Sequence, residues 1–273
     1  LYIFSDIAYG FVFYIFKYRR DVVKNNLATA FPEKKIAERR RIEKQFYHNL
    51  TDTFIESIKF ITISKKQILR RSTGQYDMIN DLIDKGKNVH IMAGHQFNWE
   101  YANLLYSLNL KIPFVGIYMM IANKSLNRIF YNFRKQYGTI LISAQEFKDK
   151  RFDVFQQQYC LALAADQNPG DPSNAYWMNF FGKPAPFVTG PAKGAVKNNT
   201  AVVIVGFQKT KRGHYAFTTE MLAEEGSSYS PEELTLLYKN ALETIIRKDP
   251  SNYLWSHRRW KWEWTPSCSP ILE

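Results

Sequence analysis

Val89-His90-Ile91-Met92-Ala93-Gly94-His95-Gln96-Phe97-Asn98-Trp99-Glu100 is the stretch from which the rest of the chain is read. Val89–Ala93 is the short, mostly apolar run of a strand buried on both faces. Gly94 lets the backbone turn tightly and a ligand approach. A helical pattern then begins, with Asn98 as a natural N-cap and Glu100 in the first turn, where the helix dipole favours a carboxylate. Five residues of continuous helix would leave His95 and Glu100 ~140° apart. His95 therefore belongs on the turn before the helix, with Glu100 just inside it. From there Glu100 can orient the imidazole through one ring nitrogen and leave the other to take a proton. That is a base and its orienter without a protein nucleophile, so the nucleophile would be a substrate hydroxyl. The same spacing also arises around a histidine hydrogen-bonded in a core.

Around this stretch, short apolar or β-branched runs alternate with helical ones from Gly74 onward. The pattern predicts a mainly parallel sheet flanked by helices. The strands expected are 89–93, 112–117, 139–142, 160–165, 201–207 and 215–220. The helices expected are 76–84, 98–108, 125–137, 190–197 and 231–247, the last with Ser230 as N-cap and Pro231 in its first turn. Residues 168–186 hold four prolines and two glycines and read as a long loop with little regular structure, the kind that often serves a site.

Upstream, residues 1–64 read as helical. Ile42, Phe46, Leu50, Phe54, Ile58 and Ile61 form one apolar stripe between Glu38 and Ile63. Leu1 to Phe16 is nearly all apolar or aromatic, short of the ~20 residues of a bilayer span. Lys17, Arg19 and Arg20 follow at once, the flank expected on the cytoplasmic side of a membrane segment. We read residues 1–63 as an N-terminal helical, membrane-associating region and 64–273 as one α/β core.

The chain has 273 residues, enough for one large α/β domain, and its 45% hydrophobic and 23% charged content is that of a globular protein. Net charge is +12, a surplus that draws nucleic acid or the negative face of a bilayer and does not separate the two. There are two cysteines, too few for a disulfide framework. No Gly-x-Ser-x-Gly elbow, phosphate-binding Gly-Lys-Ser/Thr loop or Gly-x-Gly-x-x-Gly is present, and His90 and His95 lack metal-ligand spacing.

Several ordered segments, taken with this stretch, resemble one family. Gly94-His95-Gln96-Phe97-Asn98-Trp99-Glu100 looks like the signature of the late acyltransferases of bacterial lipid A biosynthesis, within the lysophospholipid acyltransferase superfamily. Asn26-Leu27 with Phe31-Pro32-Glu33 resembles the family's Asn-Leu…Phe-Pro-Glu. Asn123, Arg134 and Gly138 resemble its Asn…Arg…Gly helix. Asp166-Gln167 and Phe180-Phe181-Gly182-Lys183-Pro184-Ala185 resemble its Asp-Gln…Phe-Phe-Gly-x-Pro-Ala loop. Trp255 with His257-Arg258-Arg259-Trp260-Lys261 resembles its C-terminal Trp-x-His-Arg-Arg-aromatic-Lys. Gln96-Phe97 departs from the Phe-Gly that relatives often carry.

The resemblance implies a glycerol-3-phosphate acyltransferase-like α/β fold. It also implies transfer of a fatty acyl chain from acyl–acyl carrier protein to a hydroxyl of a lipid A precursor or similar glycolipid, with no covalent acyl-enzyme. His95 would be the general base and Glu100 its orienter. Arg134, Asp166, Gln167, Asn98, Gly94 and Lys183 would bind substrate. No metal and no cofactor beyond the acyl thioester co-substrate is implied. The partners would be acyl carrier protein, an anionic glycolipid acceptor and the cytoplasmic face of the bacterial inner membrane, with no nucleic acid. The same chemistry on an aminolipid, a mannosylated phosphoinositide or a lysophospholipid is the alternative, as is a non-enzymatic basic membrane- or nucleic-acid-binding protein.

Three of these residues carry readings of their own. Arg134 borders the apolar stripe of its helix, so it either pairs a core acid or reaches into a cleft. Asp166 ends an apolar run, at the edge where open α/β sheets bind ligands, or else caps a loop. Lys183 either meets a phosphate or the donor, or is a solvated loop lysine. The indoles and cations of residues 255–264 suit a lipid headgroup layer, single-stranded nucleic acid, or packing of the tail onto the core.

Overall fold

A computed structural model describes the backbone of residues 1–273 and every side chain except those of Lys148, Lys150, Arg151 and Phe152. In chain order the elements are α1 (Tyr2–Gly10), a π-helical turn (Phe11–Ile15), α2 (Arg20–Ala30), α3 (Ile36–Phe60), α4 (Lys65–Arg71), β1 (Ser72–Gly74), α5 (Asp77–Asp84), β2 (Val89–Ala93), α6 (Trp99–Asn109), β3 (Phe114–Tyr118), α7 (Lys124–Lys135), β4 (Ile140–Ser143), α8 (Phe147–Val154), β5 (Cys160–Ala164), β6 (Tyr176–Phe180), β7 (Lys183–Phe187), α9 (Gly190–Lys197), β8 (Ala201–Lys211), β9 (His214–Ala223), α10 (Pro231–Lys248) and β10 (Ile271–Leu272). The alternation expected from Gly74 onward is therefore met, with β1, α8 and the strands β6, β7 and β10 in addition.

The main sheet has the order β1-β9-β8-β2-β5-β3-β4. Every neighbouring pair is parallel except β8–β9, a hairpin. Strand β2 is central, with β8 on one side and β5 on the other. Residues Ala201–Phe207 of β8 are all buried, which explains the unbroken apolar run: both faces of this sheet are covered. Ser230 caps α10 through a capping box with Glu233, and Pro231 occupies the first turn, where its missing N–H costs nothing.

Residues 168–186 are more ordered than their prolines predict. Tyr176–Phe180 and Lys183–Phe187 form an antiparallel hairpin, joined by Phe181 and Gly182, both at positive φ. This is the geometry of a tight two-residue hairpin turn. Pro184 and Pro186 sit on β7, the edge of the small sheet β10-β6-β7, where a proline removes no inner ladder bond.

The stripe expected along α3 divides in two. Phe46 and Leu50 are buried, but Phe54 and Ile58 are about 60% exposed and Ile61 is exposed too. The inward face is polar instead. Asp52 accepts from Ser5 Oγ (2.6 Å), Lys209 Nζ (2.7 Å) and Arg212 Nη2 (2.7 Å). Glu56 accepts from Tyr2 Oη (2.8 Å), Tyr215 Oη (2.6 Å) and Asn98 Nδ2 (3.0 Å). A buried carboxylate must be fully partnered, and the partners lie on α1, on β8, β9 and the turn between them, and at the N-cap of α6. Residues two apart on a helix stand about 200° from one another, so facing Asp52 and Glu56 inward turns Phe54 and Ile58 outward.

The N-terminal helices share one apolar cluster with the sheet: Phe13, Leu27, Phe46 and Leu50 pack with Met92, Phe97 and Trp255. Ile3, Phe4 and Phe16 remain largely exposed. Among the described residues, no helix is long and apolar enough to cross a membrane.

Candidate active site

Strands β2 and β5 are parallel neighbours with Ala93 opposite Ala164. Their chains leave the same carboxyl edge of the sheet side by side. His95 lies two residues past the end of one strand and Asp166 two residues past the end of the other. The result is a contact: His95 Nδ1 is 2.6 Å from Asp166 Oδ1, and the His95 backbone N–H donates to Asp166 Oδ2 at 3.0 Å. Asp166 is buried, whereas the His95 side chain keeps 25% of its exposure. With Nδ1 engaged, Nε2 is the ring nitrogen left for a substrate.

The electrostatics follow from this geometry. Burial opposes ionisation of Asp166, but the charge and hydrogen bonds of His95 and a bond from the Tyr253 phenol outweigh it and hold the carboxyl at about 2. Burial likewise opposes the imidazolium, yet the charge of Asp166 and its hydrogen bond raise His95 above its ordinary value. Asp166 thus fixes the tautomer and orientation of the ring and strengthens it as a base.

Glu100 does not do this. Its carboxylate is taken by Arg134, whose Nε is 2.9 Å from Oε2 and whose Nη2 is 2.5 Å from Oε1, and by the Trp99 indole N–H at 3.1 Å. The Trp99 ring stands edge-on to His95, with centroids 5.9 Å apart. Helix geometry explains the correction: once α6 starts at Trp99, Glu100 projects toward α7 and meets Arg134. Arg134 accordingly takes the first of its two readings and pairs a buried acid.

Asn98 caps α6 as predicted, with Oδ1 accepting from the Glu100 N–H at 3.1 Å. It is fully buried, and its other amide end is spent on Glu56. Gly94 packs against α10: a Cβ there would meet Leu242 Cδ1 at 2.5 Å, so a larger residue would require the Leu242 side chain to shift. Lys183 is exposed on the hairpin, and its carbonyl accepts from the Trp260 indole.

The tail closes one side of the site by packing onto the core, the third reading of residues 255–264. Leu254 N–H donates to the His95 carbonyl at 3.0 Å, and Phe97 N–H donates to Asn252 O at 3.0 Å. Asn26 Nδ2 donates to the carbonyls of Trp255 and His257, both at 2.7 Å. The buried Arg259 donates to Asn168 Oδ1 (2.8 Å) and Pro186 O (3.0 Å), with Phe187 beneath its guanidinium. The segments singled out in the sequence at both chain ends therefore meet around His95.

A cavity of about 650 Å³ opens beside the pair. Val12, Phe16, Leu50, Phe54, Trp99 and Leu254 line its apolar part, and Arg19, Gln167, Ser256 and His257 its polar part. A second, polar cavity of about 400 Å³ among Asp6, His48, Asp52 and Arg212 lies away from His95. Among the described residues, no three His, Cys, Asp or Glu side chains group so as to hold a metal ion.

Residues 2–262 match the family described as Bacterial lipid A biosynthesis acyltransferase. The chain belongs to that family. It is therefore an enzyme that transfers acyl groups, and the non-enzymatic binding reading falls away. No curated protein matches the chain. Within this acyltransferase, sequence reasoning had marked Asp166 as a substrate ligand and missed its bond to His95. The signal was there: both residues closely follow apolar runs, 89–93 and 160–165, that become neighbouring parallel strands. Tyr253 and Glu56, which support Asp166 and Asn98, carried no comparable signal.

Proposed function

We propose that this acyltransferase moves a fatty acyl chain from acyl–acyl carrier protein to a hydroxyl of a lipid A precursor, with His95 as general base held by Asp166. The observation that carries the reading is the partly exposed His95 held by the buried Asp166 beside an amphipathic cavity, with Nε2 uncommitted. Nε2 takes the proton of the acceptor hydroxyl as its oxygen attacks the thioester carbonyl. The tetrahedral intermediate expels the thiolate, the C–S bond breaks, and the imidazolium returns the proton to sulfur. No covalent acyl-enzyme forms. General-base help of this kind contributes about 10²–10⁴ in rate, and positioning supplies much of the rest.

Glu100 supports the site indirectly, by holding Trp99 against the imidazole and neutralising Arg134. Gln167 lines the cavity next to Asp166 and serves substrate binding. The exposed Ile3, Phe4 and Phe16, followed by Lys17, suit docking of α1 on an anionic bilayer, the cytoplasmic face of the inner membrane, without spanning it.

The test is mass spectrometry of lipid A precursors incubated with acyl carrier protein thioesters, with aminolipid, mannosylated phosphoinositide and lysophospholipid acceptors in parallel. A mass gain of one acyl chain on the lipid A precursor is expected, and His95→Ala should abolish it while the circular dichroism spectrum is unchanged. Full activity of His95→Ala would refute the assignment, and acylation of only another lipid would replace the acceptor.

A further inference from the structure

The backbone turns sharply between the π-helical turn and α2, with Lys17 at φ 49° and Arg19 at φ 51°. Left-handed backbone is costly for side-chain-bearing residues and persists where the surroundings impose it. Here it leaves Arg19 lining the polar part of the cavity beside the His95–Asp166 pair. One Nη1 hydrogen bond, 3.0 Å to the carbonyl of Ser256, ties it to the tail. Ser256 is two residues beyond Leu254, whose N–H holds the carbonyl of His95.

Arg19 differs from three other arginines of the N-terminal helices and the active site, and, unlike Arg259, whose guanidinium is buried on Asn168 and Pro186, it lines the cavity. Arg20 pairs with Glu43, Arg134 with Glu100, and Arg212 with Asp6 and Asp52. Among the described residues, Arg19 has no carboxylate partner, and no Asp or Glu lines its cavity. The nearby His257 brings no charge at neutral pH: burial pushes it down to about 4, and its Nε2 accepts from the Asn168 N–H. A guanidinium has five N–H donors in a planar fork suited to a phosphate. With one donor spent on Ser256, the rest remain for a ligand. The apolar part of the lining (Val12, Phe16, Leu50 and Phe54) includes Phe16 and Phe54, which are also exposed at the surface.

We infer that this cavity receives the acceptor lipid around its reacting hydroxyl, and that Arg19 binds a phosphate of that lipid. The inference rests on the acyl-transfer reading above and adds a phosphate-binding residue to it. Arg19 sets acceptor affinity and takes no part in proton transfer.

The experiment uses a phosphorylated lipid A precursor and the same lipid after phosphatase treatment, each assayed with wild-type enzyme, Arg19→Gln and Arg19→Lys. Arg19→Gln should raise KM for the phosphorylated acceptor by about 10–100-fold, with kcat and the KM for the acyl thioester little changed. Removing the phosphate should weaken wild type by a similar factor and leave Arg19→Gln indifferent. Arg19→Lys should recover part of the loss, since a point charge replaces the fork. Equal effects of Arg19→Gln on both lipids, or an effect confined to the thioester KM, would overturn the inference.

Binding of the two lipids to His95→Ala, with and without Arg19→Gln, gives the same comparison without turnover. A preference for the phosphorylated lipid that disappears with Arg19 upholds the phosphate contact even if acyl transfer fails on every acceptor. No preference overturns it even if transfer succeeds. Inorganic phosphate added alone distinguishes the source: if millimolar phosphate erases the preference, the site takes free phosphate and the lipid assignment is wrong.

Discussion

Arg134 closes on Glu100 with two parallel N–H···O bonds, 2.9 Å and 2.5 Å long, across the start of α6. Both prongs land on a carboxylate that is almost fully buried, and its Oε1 also accepts from Trp99. The pair therefore ties α7 to the turn that carries His95 and fixes the indole that flanks the imidazole. Removing Glu100 would leave a guanidinium largely desolvated and unpaired. Glu100→Ala should cost about 2–4 kcal/mol of stability, below the fully buried range because Arg134 retains some exposure. Arg134→Ala should cost a similar amount, and the double variant little more than either single one. Acyl transfer should fall in both, through a displaced Trp99. Thermal unfolding and kcat on the same preparations check this; a Glu100→Ala protein with wild-type stability and no activity would instead place Glu100 in the chemistry.

The contact between Asp166 and His95 makes a separate claim on pH. In the proposed mechanism the neutral imidazole is the active form, and Asp166 raises its pKa. The acid limb of kcat/KM should therefore have its midpoint above the ordinary histidine value of ~6.5. Asp166→Asn should move that midpoint down and lower kcat by about 10²–10⁴-fold, because the amide no longer steadies the imidazolium. Stability should respond at the other end of the scale. Asp166 sits at about 2 when folded, below its ordinary 3.8, so its contribution is present above the unfolded value and is lost as pH falls toward 2. Urea unfolding followed from about pH 5 to about pH 2 should show a steeper loss in wild type than in Asp166→Asn. An unchanged acid limb in the variant would remove Asp166 from its positioning role.

The order of elements in the α/β core was legible because parallel strands buried on both faces leave mostly apolar runs, as Val89–Ala93 and Ala201–Phe207 do. The cap at Asn98 was legible for a local reason, a side chain serving a backbone N–H two residues on. What local patterning does not supply by itself is the pairing of neighbours distant in sequence. Asp166 reaches His95 across 71 residues. Tyr215 reaches Glu56 across 159, and Lys209 reaches Asp52 across 157. Periodicity puts Phe54 and Ile58 on the buried stripe of α3, but they are exposed, and the inward face there carries Asp52 and Glu56 instead. The hairpin of β6 and β7 was hidden by Pro184 and Pro186, which read as loop unless the strand is known to be an edge.

That reversed face of α3 leads to a prediction about the membrane. Phe54 and Ile58 are exposed, as are Ile3 and Phe4 on α1 and Phe16 just beyond it. Helix α1 packs along α3, with Tyr2 bonded to Glu56 and Ser5 to Asp52, so the two apolar faces belong to one region of the molecule. Phe54 and Phe16 also line the cavity beside His95. A bilayer covering this region would present its lipids to the cavity mouth directly. Replacing Phe4 and Ile3 by serine should weaken binding to vesicles containing anionic lipid by at least about tenfold, since each side chain withdrawn from the interface forfeits about 1 kcal/mol or more. Neither residue lines the cavity, so kcat on detergent-dispersed acceptor should hold near the wild-type value. Raising salt should weaken vesicle binding further, because Lys17 and its basic neighbours act through screened charge. Vesicle co-sedimentation, paired with the micellar assay, separates the two effects. Undiminished sedimentation of the Ile3→Ser/Phe4→Ser protein would show that the bilayer contacts the enzyme elsewhere.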